Sequence, residues 1–307
     1  MMQAQGSRMN SISPRPKSFA DYKGEGHLWI TLSKGEYYPD YLVDANKLYT
    51  PYLETFGQLV AASASSEQLF RRIVDLRSRE ARIQISRIFR KYVSPETPVE
   101  MLKVKSKAEQ IIEQFGTGFR PIQEVQRAFS ARPIPDETLS AILWEYKDRG
   151  RKGYDQTEQF FLLFRKLYPD LLIRGPERAG ADIPLGSIFP GYPNARRPVD
   201  FIIFKKGLLG TEEEVLAVGL ARYDSDRGGA QEDDRIGGYK NCADEILTYA
   251  QEQNLNVKVV FLNDGPGLLL GTMWDDYAQL EKSWSGRIMV LTLRMIPERL
   301  TLDWMLS

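Results

Sequence analysis

The 307-residue chain has one cysteine, Cys242, and one histidine, His27, and each scarcity removes a class of chemistry. A single cysteine rules out an intrachain disulfide and suits a reducing compartment, so the expected location is the cytoplasm. Together the two residues fall short of a His/Cys zinc site or a haem-attachment motif, and any metal would be held by carboxylates, which favours magnesium, manganese or calcium. No Gly-x-Ser-x-Gly elbow is present and His27 lies far along the chain from Cys242, which argues against histidine-assisted nucleophilic catalysis. His27 reads as a surface or packing residue. Net charge is also lacking: Lys plus Arg (41) equals Asp plus Glu (41). Binding to nucleic acid would have to come from a local basic surface.

Long apolar runs are missing as well. The densest clusters, "FFLLF" and "DFIIF", are far shorter than the roughly 20 residues of a membrane span, so no membrane partner is expected. The opening "MMQAQGSRMNSISPRPKSF" has no apolar core of a secretory signal and reads as a floppy arm. "NDGPGLLLG" (263–271) lacks the spacing of a nucleotide-binding fingerprint and no Gly-Lys-Ser/Thr follows. Its reading is a tight turn after a strand, without a nucleotide cofactor.

The pattern that is present divides the chain. Aromatic and turn residues over 20–60 suggest one or two short strands or turns before a helix around 45–65. From 66 to 92 apolar residues recur at helical spacing (Phe70, Ile73, Leu76, Ile85, Ile88, Phe89, Tyr92) without Gly or Pro, which predicts one long amphipathic helix stopped at Pro95. "PVEMLKVKSKAEQIIEQFG" and "FRPIQEVQRAFS" read as two more helices. "DETLSAILWEYKDRG" opens on an Asp N-cap and closes on Gly150, and "DQTEQFFLLFRKLYP" is stopped by Pro169. After Leu172, Gly/Pro-rich loops give way to the short apolar runs "VDFIIF", "EVLAVGLARY", "VKVVFL" and "RIMVLTLRM", with a helix between the second and third. The order strand, strand, helix, strand, helix, strand predicts an α/β fold: a mixed central sheet with flanking helices over 171–307, behind a largely helical region over 1–170. That region would serve as DNA clamp or dimerisation element.

Two clusters carry chemistry. Residues 71–91 hold Arg71, Arg72, Arg77, Arg79, Arg82, Arg87, Arg90 and Lys91 against Asp75 and Glu80. Such a face can line a phosphate backbone, and arginine is the better phosphate fork; the bland alternative is a solvated helix face. The second cluster is acidic. Asp200 opens a buried strand directly after "RRPV", where an acid is costly unless paired or bound to a cation. On the next strand, alternation places Leu220, Arg222 and Asp224 on one face. Asp226, Arg227, Glu232, Asp233, Asp234 and Arg235 follow. An acid on one strand, a cation and an acid at the end of its neighbour, and acids opening the next helix would form an oxygen-ligand metal site; salt bridges and a helix N-terminus favouring acids are the bland alternative.

On "GPERAGADIPL", "RRPVDFIIF", "EVLAVGLARY", "SDRGGAQEDDR" and the tail from "VVFLNDGPG" onward, roughly residues 172–307, the chain resembles a type II restriction endonuclease with the PD-(D/E)XK nuclease core. In that superfamily a "PD" acid opens one strand and an acid-x-lysine triplet lies on the next. Asp200 matches the first acid, with Val199 between it and Pro198. The triplet falls on Leu220-Ala221-Arg222, which lacks the acid and has arginine for lysine. Some members carry the second acid on the following helix, and Glu232 and Asp233 lie ten and eleven residues after Arg222, with Asp224 as the other choice.

The resemblance implies magnesium-dependent hydrolysis, with manganese as a substitute, the ion held by Asp200 and one or more of Asp224, Glu232 and Asp233. Arg222 would stabilise the phosphate, and Lys240 is the nearest lysine that the helix could bring. Ser225, Arg227, Gln231 and Arg235, with Arg79 and Arg82 from the basic stretch, are the expected DNA contacts. Double-stranded DNA is the implied partner and a homodimer the implied assembly. Two other readings compete: a degenerate nuclease-fold DNA-binding protein, motivated by the altered triplet, and a helical interaction protein using its basic face.

Overall fold

Runs rich in β-branched and aromatic residues build the sheet. In this computed structural model, which describes residues 17–97, 105–176, 182–207, 212–225, 231–284 and 286–307, the strands are β1 Leu171–Arg174, β2 Ile183–Pro184, β3 Pro198–Val199, β4 Phe201–Lys206, β5 Glu212–Tyr223, β6 Lys258–Asp264 and β7 Ile288–Leu291. Five of them form one mixed sheet in the order β1-β4-β5-β6-β7, and β2 and β3 make a separate two-stranded ribbon. β1 to β4 and β4 to β5 are antiparallel; β5 to β6 and β6 to β7 are parallel. Parallel neighbours need a crossover. Helices α8 (Gln231–Glu252) and α9 (Met273–Ser283) supply the two crossovers here. β6 and β7 are buried throughout, as expected where helices cover both faces of a parallel pair. The four apolar runs read as strands are β4 to β7. β1 was not anticipated: "LLIR" is short and directly follows a helix.

The helices before the sheet are α1 (Gly26–Trp29), α2 (Leu42–Ala61), α3 (Ser66–Val74), α4 (Arg79–Tyr92), α5 (Ala108–Phe115), α6 (Ile122–Ser130) and α7 (Glu137–Leu167). Three expectations are corrected. Residues 19–33 contain no strand: Phe19–Glu25 is a 3₁₀ helix continued by α1. Ser18 and Asp21 bond across its start, and Phe19 stacks on Trp274 with ring centroids 4.5 Å apart.

The expected single helix over 66–92 is two. Ser65 Oγ accepts from the Gln68 amide to cap α3, and Ser78 Oγ accepts from the Ala81 amide to cap α4. A serine cap stops a periodic pattern without any Gly or Pro. Conversely, Gly150 ends nothing, because α7 runs through it. A glycine inside a helix costs only about 1 kcal/mol, less than restarting a helix a few residues later. The Asp136 cap is as expected, its Oδ1 accepting from the Leu139 amide at 3.0 Å.

The chain divides into two units, Lys34–Gly150 and Met1–Ser33 with Arg151–Ser307. The first is helical around its own apolar core, in which Phe56, Phe70 and Phe89 are fully buried. In the second, the described residues pack a larger core on the sheet, with Phe160, Phe161 and Phe164 of α7, Phe201 of β4 and Phe261 of β6. Among the described residues no helix is long and apolar enough to cross a membrane.

Candidate active site

Asp200 is the single-residue link between β3 and β4, and both its backbone and its side chain are tied to β5. Its amide donates to the Gly219 carbonyl at 2.9 Å, and its Oδ2 accepts from the Ala221 amide at 2.7 Å. Burial pushes its pKa up to about 6; the Ala221 amide works against that rise and the charge of Asp182 adds to it. Asp182 is exposed and stands one step beyond the Ile183↔Val199 pair of the β2/β3 ribbon, the register position opposite Asp200.

The basic residue of the site is one position past Ala221. Arg222 Nε donates to Asp224 Oδ1 at 2.9 Å, and the Asp224 side chain is 1% exposed. The Asp224 backbone is fixed on both sides, its amide donating to the Asp264 carbonyl at 2.8 Å and its carbonyl accepting from the Gly267 amide at 2.9 Å. Tyr239 of α8 completes the cluster. Its ring packs against Phe261, centroids 4.8 Å apart. Burial raises its pKa, and the facing Arg222 guanidinium opposes the rise.

Tyr223, between Arg222 and Asp224, faces elsewhere: its hydroxyl accepts from the Ser33 amide at 2.7 Å and donates to the Thr31 carbonyl. Asp264, at the end of β6, is fully buried, with Oδ1 accepting from the Thr31 and Gly265 amides and Oδ2 from the Leu293 amide. The segment 263–271 is the tight turn expected. Gly265 has φ +108°, and a Cβ there would lie 2.3 Å from the Asp224 carbonyl oxygen, so the turn also shapes the floor of the site.

The structure therefore pairs Arg222 with Asp224 and bonds Asp200 to Ala221, and the Tyr239 phenol feels the charges of Arg222, Asp224 and Asp200. Ser225 follows Asp224 and is exposed. Gln231, Glu232, Asp233 and Arg235 lie in the first turns of α8; their backbone is helical and their side chains, like the whole of Arg227, lie outside the described residues. Position 232 is two helical turns ahead of Tyr239, so register puts it on the same stripe as Ile236 and Tyr239, while 233 falls off that stripe. Lys240 is exposed on α8, and it is its neighbour Tyr239 that faces Arg222.

In the helical unit Arg79 is exposed at the first residue of α4, whereas Arg82 NH1 donates to the Leu76 and Arg77 carbonyls and holds the α3–α4 turn. Cys242 is buried, its thiol pushed up to about 11 by burial, and His27 is exposed. Sequence reasoning missed Tyr239 and Asp182. For Tyr239 the signal was its spacing from Glu232 and Ile236; for Asp182 it was "ADIP", an acid at the head of a two-residue strand.

Asp200 has one oxygen on Ala221 and no described bond to the other, which suits a hard cation by donor chemistry. Among the described residues no group of three or more His, Cys, Asp or Glu side chains is placed to hold a metal ion. A complete ligand set would need the first turn of α8. Fold and cluster together define an α/β protein with a mixed five-stranded sheet, a half-buried acid bonded to Ala221 and, one residue on, an arginine paired with Asp224. Comparison with protein-family models, curated proteins and solved structures gives no match in any of the three.

Proposed function

We propose that the chain is a metal-dependent, sequence-specific double-stranded DNA endonuclease, a type II restriction enzyme built on a PD-(D/E)XK-like core, working in the cytoplasm as a homodimer. The observation that carries this reading is Asp200: an acid at the head of a strand, pushed up to about 6 by burial and aimed at the neighbouring strand one residue from Arg222. The Ala221 amide offsets only part of the desolvation of Asp200, whereas a cation would relieve it.

Each residue has a role in this reading. Asp200 would supply one oxygen ligand, and one or more of Asp224, Glu232 and Asp233 the others. Asp224 fixes Arg222 through Nε, leaving the terminal nitrogens to the Tyr239 phenol and to a phosphate oxygen. Magnesium or manganese bound at Asp200 supplies phosphate polarisation and a water of lowered pKa. Arginine stays protonated throughout, so Arg222 acts as a fixed positive charge on the phosphate and abstracts no proton.

The second reading is a DNA-binding protein on a degenerate nuclease core, favoured by the exposed position of Lys240, which leaves no described lysine facing Asp200. Incubation with long, sequence-diverse duplex DNA in magnesium, with calcium and chelator controls, separates the two. Discrete magnesium-dependent fragments are expected, and Asp200→Ala is expected to abolish them while duplex binding in calcium is kept. An intact band in magnesium and manganese together with a retarded band in calcium would favour the degenerate core. An Asp200→Ala variant cutting at the wild-type rate would remove Asp200 from the site.

A further inference from the structure

The eight basic residues of 71–91 are not equivalent in the folded unit. Arg71 is held bidentately by Glu109, with both contacts at 2.9 Å. Arg82 bonds the Leu76 and Arg77 carbonyls, Arg87 bonds Gln84 Oε1 at 3.1 Å and Arg90 bonds the Pro95 carbonyl. The nearby acids are occupied too: Asp75 pairs with Lys105 at 3.3 Å, and Glu80 faces the Tyr52 phenol. Lys91 is exposed in the last turn of α4, and Arg72, Arg77 and Arg79 are exposed with no acid pairing with any of these three among the described residues.

Arg72 lies in the last turn of α3, where a cation suits the helix dipole, but the placement of Arg77 and Arg79 is poor for stability. Arg79 is the first residue of α4, a 14-residue helix, and Arg77 precedes it by two. Cations at a helix N-terminus oppose its dipole, where an acid would stabilise. Two guanidiniums at the start of α4 and a third at the end of α3 put positive charge on either side of the turn, where an anion would relieve it.

We propose that Arg72, Arg77 and Arg79 form a phosphodiester-binding surface on the helical unit that grips the backbone of duplex DNA without metal and without reading bases. The choice of DNA as the polyanion rests on the nuclease reading above; the location of the surface does not. Its contacts are to phosphate, so affinity depends steeply on salt and little on sequence.

The test is duplex binding in calcium across a salt series for four proteins: wild type, the triple variants Arg72→Ala/Arg77→Ala/Arg79→Ala and Arg72→Lys/Arg77→Lys/Arg79→Lys, and Asp200→Ala, with circular dichroism confirming that each is folded. The alanine triple is expected to bind ~10-fold or more weakly at low salt, with the slope of log K against log salt flatter by about 2 to 3. The lysine triple is expected to keep most of that slope, and Asp200→Ala all of it. If the alanine triple keeps wild-type affinity and slope while the wild type cuts DNA, the surface is wrong and the Asp200 reading stands. If the slope is lost as expected but no protein cuts in magnesium, the surface stands and the nuclease reading fails. A wild type that binds no duplex at any salt overturns both.

Discussion

A half-buried carboxylate given a single amide partner holds its proton more tightly, and Asp200 does so up to about 6, against an ordinary value of 3.8. Between those two pH values the folded chain binds the proton more than the unfolded chain does, so stability falls as pH rises from about 4 to about 6 and stays at the lower level beyond. At 1.36 kcal/mol for each pH unit, the cost is up to about 3 kcal/mol above pH 6. Asp200→Asn keeps an acceptor for the Ala221 amide and carries no charge. In chelator, urea denaturation should show the Asn variant more stable than wild type at pH 7.5 by up to that amount, with the difference vanishing at pH 4. Equal stability at pH 7.5 would mean that Asp200 is well solvated and would remove the main ground for assigning it a function. Asp264 is buried more deeply but accepts three backbone amides, so it anchors chain segments where Asp200 leaves one oxygen open.

At the scale of elements, the site depends on how β4 meets β5. Phe201 lies directly across from Gly219, and a Cβ on Gly219 would be 2.0 Å from the Phe201 ring. Because the Asp200 amide bonds the Gly219 carbonyl, a shift of this pair moves the acid as well. Gly219→Ala is expected to cost about 1 to 3 kcal/mol in thermal unfolding through overpacking, and adding Phe201→Leu should recover part of it; a neutral Gly219→Ala would contradict this packing.

The same pair shows what the sequence could reveal. Strands β4 to β7 were legible because a β-branched apolar run flanked by turn residues has few other solutions, and strand alternation alone placed Arg222 and Asp224 together. β1 was hidden because its four residues abut a helix. The break between α3 and α4 rests on the Ser78 cap inside an unbroken apolar period, and the continuity of α7 rests on a glycine that a long helix tolerates. Tyr239 and Asp182 reach the site through a crossover helix and a two-stranded ribbon, tertiary placements that no local period encodes.

Over the whole molecule the charges cancel, 41 against 41, so the proposed ion binding at the sheet end would owe nothing to net charge and would have to arise from local carboxylates. That makes cation binding measurable through stability, independently of any cleavage. A ligand that binds only the folded state adds RT ln(1 + [L]/Kd), about 1.4 kcal/mol at ten times its Kd. Thermal unfolding of wild type at pH 7.5 should therefore rise as magnesium or manganese is added after chelator treatment. The rise should be absent in Asp200→Asn, which has no charge to offer. At pH 5, where the proton holds Asp200 against the cation, it should need about tenfold more metal. Calcium should produce a similar rise if oxygen donors alone define the site. An increase that persists in Asp200→Asn would place the cation elsewhere on the chain, and no increase with any of the three ions would leave the half-buried acid without the proposed partner.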